Sequence, residues 1–164
     1  MARRATLVAL ALLLPAAPAS LAPALQEDAP LAIVVNKANA LDELSFEELR
    51  NVFLAEHSHW SNGRRITLVM RDPGQPEREA VLRTIYRMSE SEFTRYFLHL
   101  TFTGEVLSAP KRLATAAGVR RFIFNVPGAI GYVRADEVDS SVKVLRVDGH
   151  LPGDPDYKIR MSSP

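Results

Sequence analysis

The sequence predicts an α/β domain in which a mostly or partly parallel sheet is covered on both faces by helices. Two observations carry this. The runs "LAIVV" and "ITLVM" are short, continuous and rich in branched residues, as strands buried on both faces are. Amphipathic segments with helix-start signals alternate with these runs, and alternation of this kind builds layered α/β folds.

The elements follow in order. Residues 31–36, "LAIVVN", are the first predicted strand, and "KANALDEL" is a loop. Ser45 with Glu48 three residues on makes a capping box, so a helix starts there; Phe46, Leu49, Val52 and Phe53 form its apolar stripe. "HWSNGRR" is a turn, with Asn62-Gly63 supplying positive φ. Residues 66–71 are the second strand and "DPGQ" a tight turn. Pro76 suits the first position of a helix over 76–88 that turns Val81, Leu82 and Ile85 inward. Ser89 and Glu92 repeat the capping box ahead of a helix over 90–100. Residues 101–112 form a loop, and 113–125 a fourth helix weakened by Gly118. "GAIGYV" and "SVKVLRV" are the third and fourth strands.

The chain has 164 residues. Arg3 and Arg4 precede a short apolar run, and Ala17-Pro18-Ala19 and Ala22-Pro23-Ala24 offer small residues for cleavage after Ala19 or Ala24. This is the layout of a secretory signal peptide over residues 1–24, and its apolar run is too short to span a bilayer. Residues 25–150 then form the α/β domain, and 151–164 a C-terminal tail rich in proline and glycine. The chain has no cysteine, so an exported form rests on its core rather than on disulfides, which suits a periplasmic setting. Lys and Arg number 20 against 19 Asp and Glu, with no basic block, which argues against nucleic acid as a partner. "EHSHW" places His57 and His59 two apart, off any common helical face and without a third ligand at recognised spacing, so no metal or other cofactor is expected. There is no nucleophile elbow, P-loop or Gly-x-Gly-x-x-Gly, and the reading is non-enzymatic. Trp60 and the phenylalanines read as core.

One stretch is more specific than its parts. In "NVPGAIGYV" Pro127 ends a helix, Gly128 allows a reversal, and Gly131 permits close backbone approach within the next strand. The stretch resembles the "NPGAIGYV" signature of the phosphate-binding-protein-like family, the substrate-binding proteins of periplasmic ABC transporters. "LSFEELRNVFLAEHSHWSNGRRITLVMR" and Phe102-Thr103-Gly104 are similar to further elements of that family, in the same order. The resemblance spans roughly residues 32–147. It implies a three-layer sandwich like one lobe of a type II periplasmic-binding-protein fold, in a short, single-lobe form. It also implies a small anion such as phosphate as ligand, and an ABC permease or membrane sensor as partner. The oligomeric state is left open.

The family holds its anion with an arginine at a strand end, followed by a Gly-Ser-Gly-Thr turn at a helix start. By that resemblance Arg71 is the anion contact, assisted by backbone around Gly74 and Gln75, with Asn36 at another strand end and Thr103 lining the same cleft. Gln75, Pro76 and Glu77 stand where the family has Ser, Gly and Thr. Two hydroxyl donors are absent, Pro76 lacks an N–H, and Glu77 brings negative charge. Two lost bonds to an anion, each worth about 1.5–3 kcal/mol, weaken binding by about two to four orders of magnitude. Other readings are open at this stage: Arg71 as a surface arginine paired with Asp72 or Glu77, Asn36 as a turn residue, and the whole lobe as a ligand-free protein-interaction module.

Overall fold

The structure, a computed structural model, describes residues 29–161. The predicted leader lies outside the described residues. The first strand, β1 (Leu31–Val35), is buried along its whole length, as its unbroken apolar character requires. A two-residue strand, β2 (Glu43–Leu44), leads into α1 (Phe46–Phe53). The Ser45–Glu48 capping box is formed, with Ser45 N–H donating to Glu48 Oε2 at 2.8 Å. Strand β3 (Thr67–Arg71) is followed by α2 (Pro76–Val81), which widens into a π-helical turn (Leu82–Tyr86). That turn closes at Arg87 in the left-handed region, φ 55°, so the helix predicted over 76–88 is shorter and irregular at its end. The second capping box, Ser89–Glu92, starts α3 (Glu90–Phe102).

Next comes β4 (Lys111–Leu113), then α4 (Ala116–Asn125), β5 (Ala129–Arg134), β6 (Lys143–Val144) and β7 (Arg146–Val147). Sequence reading placed 111–113 in a loop and the first turn of a helix. They form a strand because Lys111, Arg112 and Leu113 register with Val69, Met70 and Arg71, and Thr115 supplies the helix cap two residues later. "SVKVLRV", read as one strand, is broken at the wholly buried Leu145, whose N–H donates to the Ile33 carbonyl at 2.9 Å.

The main sheet has the order β4-β3-β5-β1-β6. Strands β4, β3 and β5 run parallel; β1 is antiparallel to β5 and to β6. Alternate residues feed two cores. Leu31, Ile33, Met70, Ile130 and Tyr132 face α1, the π turn and α3; Ala32, Val34, Val69, Ala129 and Val133 face α4. The result is three layers, helices–sheet–helix, as expected. The first core holds an aromatic cluster, with Tyr86 and Phe93 edge-to-face at 4.9 Å and Phe93 and Phe97 at 4.8 Å. Residues 151–161 cap this core rather than trailing from it: Tyr157 and Ile159 are buried, and the Tyr157 hydroxyl donates to the Leu31 carbonyl at 2.7 Å.

The "PGAIGYV" stretch now has a physical account. Gly128 is needed for space rather than for a reversal through positive φ: a Cβ there would overlap the Arg65 carbonyl oxygen. Its own carbonyl accepts from Trp60 Nε1 at 3.0 Å and from Thr67 N at 3.1 Å, which fixes where β3 starts beside β5. Gly131 lies flat against β3 and α4; a Cβ would come within 3.0 Å of the Val69 carbonyl oxygen and 3.3 Å of Ile123 Cδ1.

Candidate functional site

Three parallel strands end at one edge of the sheet, and helix starts gather above them. Ligands of open α/β sheets bind at such an edge. Arg71 closes β3 there and is followed by a turn, with Gln75 N–H donating to the Asp72 carbonyl at 3.3 Å and Gly74 at φ 80°. A Cβ on Gly74 would meet nothing within 4 Å, so its role is conformational.

Arg71 is 6% exposed. Its Nη2 donates to Gln75 Oε1 at 3.1 Å and to the Ala114 carbonyl at 3.0 Å, joining the segments that follow β3 and β4. Its backbone N–H donates to the Tyr132 hydroxyl at 3.1 Å, and its carbonyl accepts from Arg78 Nη1 at 2.9 Å. Its Nε is buried without a hydrogen-bond partner. Among the described residues no carboxylate is ion-paired with it, so the surface pairing with Asp72 or Glu77 does not form. A guanidinium out of water without a counter-charge is unfavourable, and an anion beside it would relieve that cost.

Glu77 opposes such an anion. It is 7% exposed and its Oε2 has no hydrogen-bond partner. Burial raises the Tyr132 phenol well above the usual tyrosine range; the backbone bond from Arg71 and the charges of Arg78 and Arg71 act against that rise, and the charge of Glu77 adds to it. Tyr132 therefore stays a neutral hydroxyl at physiological pH and sits among all three charges. The edge is thus a small polar cluster in which Arg71 has no ion-pair partner and Glu77 leaves one oxygen without a hydrogen bond, its charge acting also on Arg134.

Arg78 was missed by sequence reading, which named only Val81, Leu82 and Ile85 as inward positions of this helix. It is the largest fully buried side chain among the described residues. Its Nε and Nη2 hold both Glu90 oxygens at 2.7 Å, and its guanidinium carbon stacks 4.8 Å from the Phe93 ring centroid. It ties α2, α3 and the end of β3 together, and so positions Arg71. Its first-turn place, directly after Pro76 and Glu77, carried no sequence signal of burial.

The predicted site residues do not all meet. Arg71, Gly74 and Gln75 are together. Asn36 is not with them: β1 runs antiparallel to β5 while β3 runs parallel to it, so Asn36 lies at the opposite end of the sheet. Its Nδ2 donates to the Ile123 and Phe124 carbonyls at 2.8 and 2.7 Å, and its Oδ1 accepts from Ala38 N at 2.8 Å. Those bonds satisfy orphan carbonyls at the end of α4 and close a turn. Thr103 caps the end of α3, its hydroxyl donating to Glu105 Oε1 at 2.7 Å. The neighbouring Gly104 faces Ile66, Thr67 and Leu68 at the start of β3, far from Arg71. Among the described residues there is no group of three side chains able to hold a metal ion, and no helix is long and apolar enough to cross a membrane.

No protein-family model matches the chain. Solved structures do. A protein from Clostridium perfringens, described as a phosphate ABC transporter substrate-binding protein and solved with bound phosphate, superposes with a TM-score of 0.66 at 18% identity, over 80% of this chain and 52% of its own. An ABC-type phosphate transport receptor from Vibrio cholerae gives 0.63 at 19%, over 77% and 49%. PstS from Borrelia burgdorferi gives 0.62 at 14%, over 80% and 54%. The chain therefore has the fold of phosphate ABC transporter substrate-binding proteins, and it spans about half the length of the structures it matches.

Proposed function

We propose that this chain is an exported, non-enzymatic solute-binding protein that holds a small phosphate-like oxyanion weakly at the carboxyl end of β3. Arg71 is the anchor, through its Nε and its charge, with the backbone of Gly74 and Gln75 alongside. The buried, counter-ion-free guanidinium of Arg71 is the observation that carries the reading. The phosphate bound by the Clostridium perfringens protein supports the ligand class. Affinity is low because Pro76 offers no N–H and Glu77 brings negative charge to the same cluster. The leader-like layout of residues 1–24 supports export, and the ABC-transporter descriptions of two matched proteins support an ABC permease as partner, with a membrane sensor as the alternative.

The test is calorimetric titration of the protein without its leader, in phosphate-free buffer, with phosphate and with sulfate. Arg71→Lys keeps charge and bulk but lacks the Nε donor, and it guards against loss of fold in Arg71→Ala. The expected result is saturable phosphate binding in the sub-millimolar to millimolar range, weakened in Arg71→Lys and absent in a folded Arg71→Ala. Phosphate binding of equal strength in both variants would remove Arg71 from the site.

A further inference from the structure

Strand β4 pairs only with β3, so its other edge is open among the described residues. Two cavities adjoin this strand and share Phe97 and the segment 107–110. One, of about 440 Å³, includes Lys111 with Phe122 of α4 and the start of β3. The other, of about 460 Å³, includes Arg112 with Phe93, Phe97 and Leu98 of α3. Lys111 lies opposite Val69, which faces α4, and Arg112 lies opposite Met70, which faces α3. Both volumes fall within the size range of small recognition pockets.

The surface is apolar and cationic together. Leu98 is 54% exposed, Leu107 77% and Phe102 83%, and the first two line the second cavity. Lys111 and Arg112 are exposed and have neither an ion-pair nor a side-chain hydrogen-bond partner among the described residues. The acid of the second cavity, Glu90, is held on both oxygens by Arg78, and the charge of Arg112 acts on it at longer range. The acid of the first, Glu105, accepts from Thr103.

We propose that this edge receives an extended acidic segment of a partner protein as an added strand. Main-chain hydrogen bonds to β4 supply the frame, and successive side chains of the incoming strand fall alternately on the Lys111 side and the Arg112 side. Two adjacent carboxylates meet the two cations, and flanking aliphatic side chains cover Leu98 and Leu107. The same cations select against a second copy of this chain, because antiparallel pairing of two β4 edges centred on either position sets Lys111 against Lys111 or Arg112 against Arg112.

The probe is a fluorescent synthetic peptide with two adjacent acidic residues flanked by valine and leucine; its control replaces the acids by lysines. Anisotropy titrations and amide NMR are run on the protein without its leader. The expected result is saturable binding of the acidic peptide, with amide shifts centred on residues 111–113. Affinity should fall about tenfold in Lys111→Glu/Arg112→Glu, and the lysine peptide should gain in that variant. Both positions are exposed, so the variant keeps its fold. Binding indifferent to charge reversal, shifts centred elsewhere, or no saturation at millimolar peptide would overturn the proposal. So would a self-associated dimer blocking residues 111–113.

Discussion

Arg78 holds the candidate site from behind, and its removal has a readable cost. Arg78→Met keeps much of the aliphatic bulk but leaves the Arg71 carbonyl without its donor and Glu90 without its partner. Glu90 is 43% exposed and regains water, so the cost is mainly one buried carbonyl and the lost cation–π contact. A destabilisation of about 2–3 kcal/mol is expected in urea titrations. A loss within experimental error would mean that the bidentate pair is not formed in solution. Glycine gives the second residue-scale prediction. Gly128→Ala forces a Cβ onto a backbone oxygen that cannot yield without moving β3, so the variant should fail to fold or lose more than about 3 kcal/mol. Gly131→Ala, with contacts of 3.0–3.3 Å, should cost less. Equal tolerance of both would contradict the packing of β3 on β5. The sequence pointed to both glycines, since a Pro-Gly and a strand glycine are local signals. It could not point to Arg78, because arginine in a first helical turn reads as solvated until the partner twelve residues away is placed.

At the scale of elements, legibility followed locality. Both capping boxes formed as read, because Ser45–Glu48 and Ser89–Glu92 need only a three-residue spacing. The buried strands were plain from continuous apolar runs. Strand β4 was not, since "KRL" has no strand character of its own and is strand only through register with β3. The misplaced Asn36 has the same origin. Its position at a strand end was right, but strand direction is a property of the whole sheet, and β1 runs against β3. The element-scale prediction concerns Asn36. Asn36→Ala removes two bonds to the last carbonyls of α4 and should destabilise by about 1–3 kcal/mol while leaving phosphate affinity unchanged. A variant that kept full stability and lost phosphate binding would return Asn36 to the site.

For the whole molecule, several carboxylates are held below their ordinary range. In Glu90 the Arg78 hydrogen bond is the main cause, and in Asp148 the Lys158 hydrogen bond leads, followed by the Phe46 N–H. A lowered folded pKa adds stability that is fully present above the unfolded values, about 3.9–4.3, and fades as pH falls through the folded ones. Urea midpoints should therefore be level from about pH 7 to about pH 5 and decline below about pH 4. Lys158→Ala should flatten part of that decline, and an unchanged acid limb would contradict the Asp148 assignment. The fold is what ties the chain to the phosphate transport proteins, and the anion site at Arg71 is the proposal. The central claim is that the Arg71 guanidinium is an anion contact. Its most direct test is the Arg71 Nε–H resonance, followed by NMR as phosphate is added. The account predicts a saturable shift of that proton, larger for phosphate than for chloride at equal ionic strength. A resonance that stays in place through millimolar phosphate would contradict it.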